Sequence, residues 1–328
     1  MKRARIAGIG RGVPRKVLTN LDLEQIVDTS DEWITERTGI KERHIASEGE
    51  FTSDMAAEAA RMACREAGIE PAELDAIVLG TVTPDMQMPA TAAFVQQKIG
   101  AGKHCPAFDI SAACAGFLFG LGLADAFVGR GMYQRILVVG VELLSRVLDW
   151  TDRNTCVLFG DAAGAAVVVP SDRDDRGILA VEMHTDGAYA ADLDIRGGGS
   201  VHPATHQTVD EKMHMVRMNG RQIFTQAVRN MSSASASVLQ STGHGSDDVT
   251  TVFAHQANMR IIEGVSQRTR IPLERFFINI HRYGNTSSAS IPIAMSEAQE
   301  EGRLKEGDLL LLTALGAGVS WASALVRW

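Results

Sequence analysis

Short apolar runs alternate with longer amphipathic segments along most of the chain, the pattern of strands joined by crossover helices. Residues 4–14 read as a short strand ending in Gly and Pro. Residues 76–81, 105–110 and 135–142 read as apolar strands, and a further strand lies within residues 160–170. Between them come the helices. The polar segment 28–46, around Trp33 and Ile34, starts like a capped helix. Residues 51–69 are amphipathic, with Ser53 or Asp54 as the expected cap and Gly68 as the stop. Residues 90–100 form another helix with a terminal glycine. Residues 111–131 are apolar nearly all round as far as Asp125, which predicts a buried central helix.

The charged, turn-rich run 171–177 marks a boundary, after which residues 178–187 resume. The second half echoes the first: strand 251–256, helix 258–270, strand 276–280, helix 287–302 and strand 308–316. In the first half Ile77 to Phe108 spans 31 residues and Ile110 to Ile136 spans 26. In the second half Val252 to Phe277 spans 25 and Ile280 to Leu309 spans 29. Similar order and spacing predict a duplicated α/β unit, with halves at 1–173 and 174–328. Mostly parallel sheets are expected, with sites just beyond the carboxyl ends of strands. Leu309–Val326 runs 18 residues without a charge, the length of a short membrane span. Gly316 and Gly318 interrupt it, so two buried strands joined by a turn are expected there.

Composition adds little beyond class. The 328 residues carry a net charge of −8, a field that opposes nucleic acid. The four cysteines, Cys64, Cys105, Cys114 and Cys156, form no C-x-x-C pair, so reduced thiols in a cytoplasmic protein are expected. The N-terminal residues show no long apolar run of the secretory type.

Chemistry concentrates at three expected strand ends. Cys114 lies four residues after Ile110, His255 follows the strand residues TVFA, and Asn285 lies five residues after Ile280. Small neighbours Ala112, Ala113, Ala115 and Gly116 leave room for a substrate beside Cys114. A helix N-terminus there would favour the thiolate. Together the three are a Cys-His-Asn set suited to acyl transfer. Other sites have weaker grounds. The glycines at 8, 10 and 12 lack dinucleotide spacing, and neither a P-loop nor a serine-hydrolase elbow occurs. Pro203 breaks any helical pairing of His202 with His206, and with His214 they carry no metal motif, so no metal and no cofactor are expected.

At these residues the chain resembles β-ketoacyl-acyl-carrier-protein synthase III, the initiating condensing enzyme of bacterial fatty acid synthesis. The motifs are DTSDEWITERTGIKERHIA, CPAFDISAACAGF, TDRNTCVLFGDAAGAAVV, HQANMRII, GNTSSASIP and GAGVSWASALVRW. The resemblance implies a thiolase-like five-layer α-β-α-β-α sandwich and a homodimer. It implies that Cys114 takes the acyl group from an acyl-CoA, and that malonyl-acyl-carrier protein then loses CO2 and attacks the thioester. His255 and Asn285 would donate hydrogen bonds to the enolate oxygen, and the backbone N–H groups of Cys114 and Ala317 would form a second oxyanion hole. Coenzyme A contacts map onto Trp33, Arg37, Arg153, Gly220, Phe224 and Asn258. Arg260 and Arg268, with Arg270, would receive the acidic carrier protein. Thr225 stands where relatives carry a basic residue. Met88 matches the position where a partner subunit closes the acyl pocket. Its flexibility predicts primers longer or more branched than acetyl. A condensing enzyme of secondary metabolism with another acceptor, an acyl hydrolase and a non-catalytic acyl binder are the alternatives.

Overall fold

The computed structural model describes residues 3–328. Two mixed sheets form its frame. The first joins β1 (Ala4–Gly12), β2 (Ala76–Gly80), β3 (Ala107–Ile110), β4 (Ile136–Glu142) and β5 (Ala162–Pro170), in the order β1-β5-β4-β2-β3. The second joins β6 (Gly177–Thr185), β7 (Thr251–Ala254), β8 (Leu309–Gly316) and β9 (Ser320–Arg327), in the order β6-β9-β8-β7.

The sheets are less parallel than the pattern predicted. Only β2–β3, β2–β4 and β7–β8 pair in parallel. The pairs β1–β5, β4–β5, β8–β9 and β6–β9 are antiparallel. The reason is connectivity. A parallel return needs a crossover helix, whereas β8 and β9 are joined by the short turn 317–319. The uncharged stretch 309–326 is therefore a hairpin, and no helix among the described residues is long and apolar enough to cross a membrane.

The expected strand 276–280 does not form. Phe276 makes an isolated parallel bridge to Val252, and residues 280–283 turn helical. The Gln256 side chain takes the place of a longer ladder: its Nε2 donates to the Phe277 carbonyl at 3.2 Å, and its Oε1 accepts from the Asn279 N–H at 3.2 Å. With that bridge counted, the second sheet follows the strand order of the first.

Helices fill the spaces between and outside the sheets. These are α1 (Asp31–Thr38), α2 (Thr52–Ala67), α3 (Thr91–Ile99), α4 (Gly116–Gly129), α5 (Gly220–Ser241), α6 (Met259–Thr269) and α7 (Ser290–Glu300). Strand alternation assigns each face. Ile77 and Leu79 turn toward α2 and α3, while Ala76 and Val78 turn toward α4 and α7. In β8, Leu310, Leu312 and Ala314 face the central helices, and Leu309, Leu311 and Leu315 face α5 and α6. The layers therefore run α-β-α-β-α. Each wholly buried Val, Leu or Ile contributes roughly 1.5–3 kcal/mol, so both sheets are held on two sides.

Helix α2 begins earlier than expected. Its N-cap is Phe51, whose N–H donates to the Asp54 carboxylate at 3.0 Å, while Ser53 bonds Asp85 instead. The glycines of β1 serve this helix. A Cβ on Gly8, Gly10 or Gly12 would lie 2.2–2.4 Å from α2 carbonyl oxygens. They permit close strand–helix packing and cradle no phosphate.

Candidate active site

Between β3 and α4 the chain turns sharply. Ala113 adopts φ 45°, a left-handed backbone uncommon for a residue with a Cβ, and Cys114 and Ala115 complete a 3-10 turn that runs into α4. Cys114 thus stands at the mouth of the central helix. It lines a cavity of about 190 Å³ with Val82, Leu144, Phe159, Ser287 and Ala317. The end of β8 presses on it: a Cβ on Gly316 would lie 2.4 Å from the Cys114 nitrogen. Only a glycine lets that turn, and Ala317 after it, come so near.

The segment 285–290 crosses the carboxyl ends of β2 and β4. Its path is fixed at both edges. The Asn285 N–H donates to the Leu158 carbonyl at 2.8 Å, and the Asn285 carbonyl accepts from Gly160 at 3.0 Å. Ser288 Oγ donates to the Gly80 carbonyl at 3.1 Å. Gly140 is what makes room, since a Cβ there would fall 2.3 Å from the Ser288 carbonyl oxygen.

All three expected residues meet at this segment. Ser287 lines the same cavity as Cys114, and its N–H donates to Asn285 Oδ1 at 2.9 Å. His255 Nδ1 pairs with Ser290 Oγ at 2.7 Å, and the His255 N–H continues the β7–β8 ladder by donating to the Thr313 carbonyl at 2.8 Å. Burial pushes the His255 imidazole down to about 3, so the ring is neutral at neutral pH. A Ser290 hydroxyl that donates to Nδ1 leaves the ring's single N–H on Nε2. Asn285, accepting on Oδ1, is left with Nδ2 as its donor.

Burial pushes the Cys114 thiol up to about 12, with Glu142 raising it further and Ser287 pulling it down. Sequence reasoning also passed over Glu142, wholly buried at the end of β4. The Val82 N–H, the Thr81 and Thr83 hydroxyls and Ser287 Oγ all bond its carboxylate. Burial raises its carboxyl to about 7. A signal was present: it is the single charged side chain in the buried strand ILVVGVE.

Comparison with known proteins decides the family. Residues 108–187 match the model for 3-oxoacyl-[acyl-carrier-protein] synthase III, and residues 239–328 match that for its C-terminal part. A β-ketoacyl-[acyl-carrier-protein] synthase III of Caldanaerobacter subterraneus is 48% identical over 99% of this chain and 98% of its own length. One from Natranaerobius thermophilus is 46% identical over all of both chains. The chain belongs to the β-ketoacyl-acyl-carrier-protein synthase III family. The crystal structure of the Aquifex aeolicus 3-oxoacyl-[acyl-carrier-protein] synthase III superposes with a TM-score of 0.91, at 48% identity, over 99% of this chain and 100% of that one. The fold is therefore the thiolase-like fold of this family of acyltransferases.

The remaining family positions fall in separate places. Trp33 lies on α1, its N–H held by the Ser30 cap at 3.1 Å. The guanidinium carbons of Arg37 and Arg153 lie 4.9 and 5.1 Å from its ring centre. Asn258 caps α6 by accepting from the Arg260 N–H at 2.9 Å and donates to the Arg37 carbonyl at 3.2 Å. These four make one cluster. Gly220 and Phe224 are exposed on the opening turns of α5. Arg260 and Arg268 are exposed on α6, eight residues and about two turns apart, with Arg270 just past its end. Met88 does not line the Cys114 cavity of its own chain and is 83% exposed. Among the described residues, no group of three or more potential ligands could hold a metal, and His214 bonds Thr208 at 3.0 Å.

Proposed function

We propose that this chain starts fatty acid synthesis by decarboxylative condensation of an acyl-CoA with malonyl-acyl-carrier protein. The observation that carries the reading is that Cys114, Asn285 and His255 meet at the one segment 285–290. The Cys114 sulfur attacks the thioester carbonyl of the primer, coenzyme A leaves, and an acyl-cysteine remains. Malonyl-acyl-carrier protein then enters and loses CO2. Negative charge grows on its thioester oxygen, where Asn285 Nδ2 and His255 Nε2 each supply a hydrogen. The enolate carbon attacks the acyl-cysteine. The backbone N–H groups of Cys114 and Ala317 receive that second oxyanion, and cysteine departs as thiolate.

Trp33, Arg37 and Arg153 take the adenine and phosphates of coenzyme A, with Asn258, Gly220 and Phe224 along the tunnel. The adenine slides between Trp33 and Arg153, replacing their mutual stacking. Arg260 and Arg268 receive the carrier protein, giving an acidic enzyme a basic landing face for an acidic partner. The enzyme works in the cytoplasm as a homodimer in which Met88 of each chain closes the other's acyl pocket. Its halves divide at 173/174, within the charged run that precedes β6.

Peptide mass after incubation with a panel of acyl-CoAs tests this, beside Cys114→Ala. The expected result is an acyl adduct on the Cys114 peptide, absent in the variant and discharged by malonyl-acyl-carrier protein as a β-ketoacyl product. No adduct from any primer on folded protein overturns the reading. Discharge to free acid without a malonyl donor makes the chain a hydrolase.

A further inference from the structure

Asn285 owes its place to a residue outside the Cys114 cavity. Its backbone is held by residues 158–160: the Asn285 N–H donates to the Leu158 carbonyl at 2.8 Å, and its carbonyl accepts from the Gly160 N–H at 3.0 Å. What stands behind 158–160 is Arg43. This arginine lies on the short strand Glu42–His44, which pairs with Val17–Thr19, and it is wholly buried. Its Nη2 donates to the Val157 carbonyl at 2.7 Å. Its Nη1 donates to Asn20 Oδ1 at 2.8 Å and to the Leu18 carbonyl at 3.2 Å.

The stem of Arg43 fits the two glycines beside this contact. A Cβ on Gly160 would lie 3.0 Å from the Arg43 Cβ, and one on Gly284 would lie 3.3 Å from it. Asn20 fixes the other side of the fork, since its Nδ2 donates to Asp31 Oδ1 at 2.8 Å and to the Ile40 carbonyl at 2.7 Å. Asp31 opens α1. The guanidinium therefore ties residues 18–20, and through Asn20 residues 31–40, to the segment 157–160.

Among the described residues, every hydrogen bond of this guanidinium goes to a neutral oxygen. A buried cation without an anion is a costly way to fill a core. What it supplies is direction. A planar fork fixes oxygens on two segments at once, which neither an apolar side chain nor a lysine does.

We propose that Arg43 is a positioning residue for Asn285 in the condensation step, acting by fixing the segment 157–160 against which the Asn285 backbone is bonded. Arg43 does not touch the substrate. This deepens the reading above and rests on the role given there to Asn285. Cys114 is held elsewhere, by the β3–α4 turn and the close approach of Gly316, so Arg43 bears on the second half-reaction and not on the first.

Two measurements on full-length Arg43→Met and Arg43→Lys test it. The first needs no substrate. Hydrogen exchange read by peptide mass should show the Gly160 and Asn285 amides exchanging at least ~10-fold faster in Arg43→Met, with the β4–β5 ladder unchanged. The second is single-turnover kinetics. Condensation from preformed acyl-enzyme should fall at least ~10-fold, while acylation of Cys114 at saturating acyl-CoA stays within about 3-fold, since a small misplacement penalises only the step that uses the misplaced group. In an Asn285→Ala background the further cost of Arg43→Met should be under ~3-fold, because both changes remove the same contribution. An arginine that merely supports the fold would lower both half-reactions and would add its full loss to that of Asn285→Ala, and either result overturns the proposal. Unchanged exchange at Gly160 and Asn285 in a folded variant overturns it as well. Arg43→Lys keeps the charge and loses the fork, so it decides the matter by the same readings if Arg43→Met does not fold. Unaltered protein that never acylates Cys114 overturns the acyl-transfer reading itself, a result distinct from any exchange rate.

Discussion

Ser287 donates its backbone N–H to Asn285 Oδ1 at 2.9 Å, and this bond occupies the oxygen end of the Asn285 amide. With Oδ1 occupied, Nδ2 is the donor. Asn285→Asp keeps the acceptor and replaces the donor with a negative oxygen. We expect condensation with malonyl-acyl-carrier protein to fall ~10²–10³-fold, the usual effect of losing one oxyanion donor. Acylation of Cys114, which does not use that donor, should stay within a few-fold. Single-turnover acyl transfer followed by product formation separates the two steps. Equal losses in both would show that Asn285 serves the site's structure and not the enolate.

Trp33 stands between two guanidiniums, and Arg153, which donates to the Asp28 carbonyl at 3.0 Å, is the one proposed to yield its place to adenine. Cation–π contacts of this kind contribute about 0.5–2 kcal/mol. Trp33→Ala and Arg153→Ala are each expected to raise the KM for acyl-CoA about 3–30-fold. The rate of condensation from preformed acyl-enzyme should not change. A lowered kcat at unchanged KM would remove both residues from the coenzyme A site.

Met88 is 83% exposed on the isolated chain, and the homodimer proposed above would set it at the partner's acyl pocket. Met88→Phe replaces a flexible wall with a rigid ring. The kcat/KM ratio for isobutyryl-CoA over acetyl-CoA is expected to drop at least ~10-fold, with acetyl-CoA turnover retained. An unchanged ratio, or a monomer by sedimentation, would displace this assignment.

Glu142 also leaves a mark on stability. Burial raises its carboxyl from 4.5 to about 7. Between those values the folded chain holds a proton that the unfolded chain has released. Its contribution therefore declines as pH rises through that window. Glu142→Gln has no such decline. Its urea midpoint, measured against the unaltered protein's, should gain steadily from pH 4.5 to 7 and then level. His255 works in the opposite sense. Lowered from 6.5 to about 3, it remains unprotonated in the folded chain, so stability falls as pH drops below 6.5. A midpoint difference that does not vary with pH would mean that Glu142 is already ionised in the folded protein at pH 4.5.

Gly140 tests the scaffold beneath these groups. A Cβ there overlaps the Ser288 carbonyl, a backbone atom with no room to yield. Gly140→Ala is expected to destabilise the fold by about 1–3 kcal/mol and to lower both half-reactions by displacing segment 285–290. Thermal denaturation and the acylation assay read the two effects together. Full activity in the variant would show that the segment tolerates a shift.

The sequence by itself determined the alternation of strands and helices, the central helix and the three side chains proposed to react. Periodicity of two in the strands and 3.6 in the helices is a local property, written residue by residue. The motifs around Cys114, His255 and Asn285 carried the family in the same way. The rest depended on contacts distant in the chain. The side-chain amide of Gln256 replaced a strand at 276–280, and no pattern within that strand could announce it. The mixed sheets followed from which strands return without a helix. Above all, Glu142 and Ser287 are 145 residues apart, and only the passage of segment 285–290 over β4 brings them into contact. Burial, which moves the pKa values of Cys114, Glu142 and His255 so far, belongs to no residue alone. It is made by everything packed around it.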